Sequence, residues 1–117
     1  TTYMKGVEAL RDRDYEEAVS ILAPYKDYNA AVAYCAMDYN MSALDILSKL
    51  PPTDKVVYMM AIIYSRTGDY AKAVQHYLDA CTMNRSFVNR GNLDPEISSL
   101  INKYSLHNID EETDYSI

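Results

Sequence analysis

Glycine and proline are scarce in this 117-residue chain, three and four residues respectively. That disfavours a many-turned β-sandwich and suits helices joined by short loops. Valine and isoleucine are not gathered into alternating runs, so no segment reads as a good strand. Cysteine is limited to Cys35 and Cys81 without CxxC spacing, which indicates neither a disulfide scaffold nor a zinc site. Both read as small buried residues that stay free thiols. No apolar run approaches the length of a transmembrane helix, so no direct membrane insertion is expected. HExxH, an EF-hand loop and a Cys/His pair are all missing, and no metal or cofactor is expected. His76 and His107 have no Ser or Cys beside them in a base–nucleophile arrangement. No catalytic residue, and no enzyme, is expected.

Net charge is also small once one segment is set aside. The formal charge is −6, but "DEETD" (Asp110–Asp114) carries four acids and no base, which leaves thirteen acids against eleven bases elsewhere. The body therefore has no electrostatic footprint for nucleic acid or an anionic membrane surface. Asp12, Asp14, Glu16 and Glu17 form an acidic cluster, and at a helix start they complement the helix dipole. What is present is apolar material. Hydrophobic residues make up 49% of the chain, enough for one domain to build a core. Patterned sequence begins at Tyr3 with no initiator Met and no signal-peptide pattern, so we expect a mature protein or a domain excised from a longer one.

Self-similarity is the strongest feature. Three octets match: "YMKGVEAL" from Tyr3, "YNAAVAYC" from Tyr28 and "YMMAIIYS" from Tyr58. Each has a small residue three places after the Tyr (Gly6, Ala31, Ala61) and a β-branched aliphatic at the fourth (Val7, Val32, Ile62). A second block follows each: "DYEEAVSIL", "NMSALDIL" and "DYAKAVQHYL", with Ala18, Ala43 and Ala73 as common points. The tyrosines and the alanines both step by 25 and then 30 residues, so two independent markers shift together. Val19 and Leu22, Leu44 and Leu47, and Val74, Tyr77 and Leu78 recur at the spacing of one helical face. Pro24 interrupts the first repeat, and "PPTD" (Pro51–Asp54) stops the second and starts the third, with Thr53 or Asp54 as cap. Each repeat is thus a helix–turn–helix hairpin. Gly6, Ala31 and Ala61 admit the second helix of the same hairpin, and Ala18, Ala43 and Ala73 mark where the helices cross. Gly68 fits a left-handed turn.

In Ala61, Tyr64, Gly68, Tyr70, Ala73, Tyr77 and Ala80 the third repeat resembles the tetratricopeptide repeat family. Gly6, Tyr15 and Ala18 in the first repeat carry the same pattern, as do Ala31, Tyr34 and Ala43 in the second. The second departs from it with Asn40 in place of an aromatic. The family period is 34 residues, so the shorter steps here imply trimmed second helices or loops. The resemblance implies an all-α fold: a short α-solenoid of three helix–turn–helix hairpins, about 3–27, 28–52 and 53–84. Beyond them, "LDPEISSLINKY" opens with Asp94 as N-cap and Pro95 at the first helical position. It reads as a C-terminal capping helix over about 94–104, with Ile97, Leu100, Ile101 and Tyr104 as its apolar stripe. "RSFVNRGN" reads as the end of the preceding helix near Gly91, with Phe87 or Val88 plugging the core. The domain would occupy residues 1–106, followed by an acidic, flexible tail over 107–117.

The family resemblance also implies a function. It suggests a non-catalytic module that binds a protein or peptide, such as a partner helix, on the concave face formed by the first helices. The residues that match groove positions are Tyr3, Val7, Arg11, Tyr28, Val32, Tyr58, Ile62 and Arg66. A ladder of tyrosines beside aliphatics suits a peptide; the other reading is that the tyrosines pack between neighbouring hairpins. Tyr and aliphatics also stand where some family members hold a terminal carboxylate with Lys, Asn and Arg, so carboxylate-clamp binding is not expected. The alternative function is structural: a domain packing against the rest of a longer chain, since terminal repeats need polar covering. "RGNLDPEISSLINKY" is similar to the ends of repeat proteins of bacterial cell-envelope systems, which implies envelope or periplasm rather than cytoplasm.

Overall fold

A computed structural model describes residues 1–108. The described residues form eight α-helices: α1 (Thr2–Arg11), α2 (Tyr15–Leu22), α3 (Tyr28–Ala36), α4 (Asn40–Ser48), α5 (Asp54–Arg66), α6 (Tyr70–Met83), α7 (Ser86–Leu93) and α8 (Pro95–Tyr104). Short 3-10 turns follow α2 at Ala23–Tyr25 and α8 at Leu106–Asn108. There is no strand among the described residues. The acidic tail expected over 107–117 lies, beyond residue 108, outside the described residues.

Helices α1 and α2, α3 and α4, and α5 and α6 form the tightest pairs. Stacked side by side, they give an elongated body of 51 × 27 × 25 Å. The small residues sit where helices touch. Ala18, Ala31, Ala43, Ala61 and Ala73 are completely buried. A Cβ on Gly6 would lie 2.7 Å from Leu22 Cδ2 and 2.8 Å from Ile21 Cγ2. Leu22 is itself fully buried, so α2 cannot step back to make room. Trimming is seen in α2, α3 and α4, which have 8, 9 and 9 residues, whereas α5 and α6 have 13 and 14.

Each hairpin turns through one left-handed residue at the same register: Arg13 (φ 61°), Asp38 (φ 62°) and Gly68 (φ 84°). Only the third position is glycine, and there an added Cβ would meet nothing within 4 Å. Asp14 and Asp69 then cap α2 and α6 with their side chains. Tyr39 in the equivalent place makes no side-chain cap. Glu16 and Glu17 lie in the first turn of α2, beside the positive end of its dipole. Thr53 caps α5 without a side-chain bond; the carboxylate of Asp54 accepts from the Lys55 amide at 2.8 Å.

One boundary differs from the sequence reading. The sixth helix does not run on towards Gly91: it stops at Met83, and Ser86–Leu93 is a separate helix. Asn84 makes the break. Its backbone is extended (φ −152°, ψ 107°), and its side chain donates to Asp54 at 2.9 Å and accepts from the Ser86 amide at 3.0 Å. Gly91 lies inside α7, where a Cβ would meet the Tyr77 ring at 2.7 Å. Close packing, not helix termination, accounts for that glycine. Phe87 and Gly91 are the buried residues of α7, and Asp94 alone links it to α8, whose buried stripe is Ile97, Leu100 and Ile101.

Two glycine substitutions separate these effects. Gly68→Ala pays only for its left-handed backbone and is expected to cost about 1 kcal/mol. Gly6→Ala forces the α1–α2 contact apart and is expected to cost about 1–3 kcal/mol. Urea unfolding measures both; a Gly6→Ala protein as stable as wild type contradicts the close crossing.

Candidate functional site

The first helices α1, α3 and α5 carry all eight residues that the sequence points to. The leading tyrosines come first, because each reaches towards the next first-helix start. Tyr3 Oη donates to the carboxylate of Asp27, the N-cap of α3, and accepts from Asn29 Nδ2 at 3.0 Å. The Asp27 carboxylate raises the Tyr3 phenol pKa. Tyr28 lies under the Lys55 ammonium, 4.7 Å from its ring centroid, in the first turn of α5. Tyr58 Oη donates to Asp94 Oδ2 at 3.0 Å, and Asp94 is the N-cap of α8. In the outer two cases a phenol holds the aspartate that also caps a helix: Asp27 accepts from the Ala30 amide and Asp94 from the Glu96 amide.

Burial then divides the set. Tyr3, Val7, Tyr28 and Val32 are half-buried and Arg11 is exposed. Tyr58 is 1% accessible and Ile62 6%. The Tyr58 ring stacks on Phe87 with centroids 4.7 Å apart, and the Arg90 guanidinium lies 4.8 Å from its centroid. Tyr58 therefore sits beneath the α7–α8 segment, packed between elements of the array. Burial first, and then the Asp94 charge, push its phenol above the ordinary tyrosine range.

Arg66 closes the end of α5. Its Nε and Nη2 bind the two oxygens of Glu96 at 2.6 and 2.8 Å, while Nη1 donates to the Cys35 carbonyl at 2.7 Å and to Asn40 Oδ1 at 3.2 Å. One guanidinium thus ties α5 to the α3–α4 turn and to α8, with its side chain 26% accessible. The paired geometry is the strong form of a charge-assisted contact. Glu96 raises the Arg66 pKa further. Asp27, Asn29, Asp94, Glu96 and Arg90 were not anticipated as partners of these residues. The caps alone were legible, since both aspartates precede helical patterns.

Other groups give no reactive arrangement among the described residues. Cys35 and Cys81 are free and buried, and burial pushes the Cys35 thiol above its ordinary range. His76 Nδ1 lies 2.7 Å from the Lys72 carbonyl, and its ring packs beside Tyr64. A shallow depression of about 190 Å³, lined by Ala23, Lys26, Tyr34, Ser42, Asp45 and Ile46, opens between the 3-10 turn after α2 and the α3–α4 pair. No group of three His, Cys, Asp or Glu among the described residues could hold a metal ion. No helix among them is long and apolar enough to cross a membrane.

The raised Tyr58 pKa has a definite sign. Its folded value lies above the unfolded one, so its stabilisation is complete below about pH 10 and is lost as the pH rises from there through the folded value. Urea midpoints are expected to fall above that pH in wild type and to fall less in Tyr58→Phe. Identical alkaline profiles would show that the phenol is not held. Tyr58→Ala is expected to cost about 3–5 kcal/mol, and the half-buried Tyr28→Ala less.

Comparison with known proteins adds one match. Residues 54–87 fit the family model described as Tetratricopeptide repeat, and they cover α5, α6 and the first two residues of α7. No curated protein and no solved structure matches the chain. Repeats of this family generally mediate protein–protein interaction and are typically non-catalytic. The first two hairpins share the third's crossing residues and its left-handed turn position. The third hairpin, α5 and α6, is thus a tetratricopeptide-like repeat, and the two hairpins before it share its packing pattern.

Proposed function

We propose that the chain is a protein–protein interaction module that takes a peptide or partner helix on the accessible part of its first-helix face, across α1 and α3. One observation carries this reading. Val7 and Val32 occupy the same register on adjacent first helices and are both partly accessible, whereas their equivalent Ile62 is buried. An aliphatic row is therefore open over two hairpins and shut at the third. Tyr3 and Tyr28, half-buried beside it, add aromatic edges of the kind that anchor interfaces. A bound segment would lie along Val7 and Val32 and end against the α7–α8 segment.

A second reading has its own support. Tyr3 and Tyr58 spend their hydroxyls on bonds between elements of the array, as a purely structural domain requires. In that reading the chain packs against the rest of a longer protein and presents no free groove.

Selection of a displayed random-peptide library on the protein tests the first reading. A peptide family should emerge that binds wild type and loses at least about tenfold in affinity on a Val7→Asp, Val32→Asp double variant. Both positions are partly exposed, so the melting temperature should change little. Failure of any peptide to be enriched, or equal binding to the double variant, would sink the groove and leave the structural reading.

A further inference from the structure

One stripe of side chains occurs twice on this molecule, once covered and once bare. Counting from the leading tyrosine, the third hairpin places Tyr58, Met59, Ile62 and Arg66 on α5, and the first places Tyr3, Met4, Val7 and Arg11 on α1. The chemistry is the same at each step: phenol, thioether, β-branched aliphatic, guanidinium. On α5 the stripe is closed. Met59 is 8% accessible, Tyr58 and Ile62 are buried, and Arg66 is engaged at Nε, Nη1 and Nη2. On α1 the stripe is open. Met4 is 45% accessible, Val7 is half-buried and Arg11 is exposed.

The chain itself shows what answers such a stripe. On α5 the N-cap Asp94 meets the phenol and Glu96, two residues later, meets the guanidinium. On α1 the equivalent N-cap Asp27 again meets the phenol, but the residue two later is Asn29, and it too binds Tyr3. A neutral amide has replaced the carboxylate, and no described side chain takes up Arg11.

We infer that the partner taken on the first-helix face presents an acidic side chain to Arg11 within an aliphatic segment that covers Met4 and Val7. This rests on the groove reading above and names its chemistry. The carboxylate would meet the guanidinium as Glu96 meets Arg66, through paired N–H donors. Glu8, three residues before Arg11 on α1, is a short-range competitor for it, so a partner needs apolar contact as well as charge. Without such a partner, Arg11 only offsets the negative end of the α1 dipole.

The peptides enriched on wild type provide the test. Those peptides should carry Asp or Glu at one fixed place beside aliphatics. By fluorescence polarisation, Arg11→Gln should weaken them about tenfold, as should replacing that acid by its amide. The two changes together should lose little more than either alone, and raised salt should weaken wild type more than the variant. Enriched peptides that depend on Val7 and Val32 but are indifferent to Arg11→Gln overturn the acidic contact while leaving the groove. Absence of any such peptide overturns the groove itself.

Discussion

The fold depends on letting helix backbones come close. Gly6, Ala18, Ala31, Ala43, Ala61 and Ala73 leave no side chain standing between the paired helices, and the larger Leu22, Leu47, Ile63 and Tyr77 then fill the spaces beside each crossing. Dense packing of this kind tolerates little added volume. It also fixes how far each first helix stands from the next, and hence whether one phenol can span the gap. The tyrosine contacts to Asp27 and Asp94 follow from that spacing. So does the reach of Arg66, which touches the second hairpin and α8 from one position.

Much of this was legible in the sequence, because the signals are local. The crossing residues repeat with the turns, and the caps Asp14, Asp69 and Asp94 precede their helices directly. Two of the three left-handed residues at the hairpin turns were not legible. Arg13 and Asp38 hold positive φ without the glycine that announces it at Gly68, and the hairpin geometry imposes the conformation there. The break between α6 and α7 was hidden for a different reason. Asn84 leaves the helix to reach Asp54, thirty residues away, and no local pattern encodes such a partner.

The candidate face was legible only in part. The register that groups Tyr3, Tyr28 and Tyr58 belongs to the sequence, but their exposure does not. Tyr58 and Ile62 become interior because a later segment lies over them. That segment is matched to α5 through Phe87, Arg90, Asp94 and Glu96, contacts that join residues far apart in the chain. Likeness among the three repeats concealed this difference in environment. A family pattern assigns equal standing to equivalent positions, whereas burial depends on what each hairpin happens to face.

The relay of tyrosines changes character at α8. In α3 the residue after the capping aspartate is Tyr28, whose ring meets Lys55 at the start of the next first helix. In α8 the residue after the capping aspartate is Pro95. Proline suits the first position of a helix, yet it has no ring hydroxyl or aromatic face to extend to a neighbour. The outward residues Ser99, Asn102 and Lys103 are exposed and polar. The aromatic link that Tyr28 makes to the next first helix therefore has no counterpart at Pro95, and the α8 surface offers polar side chains instead.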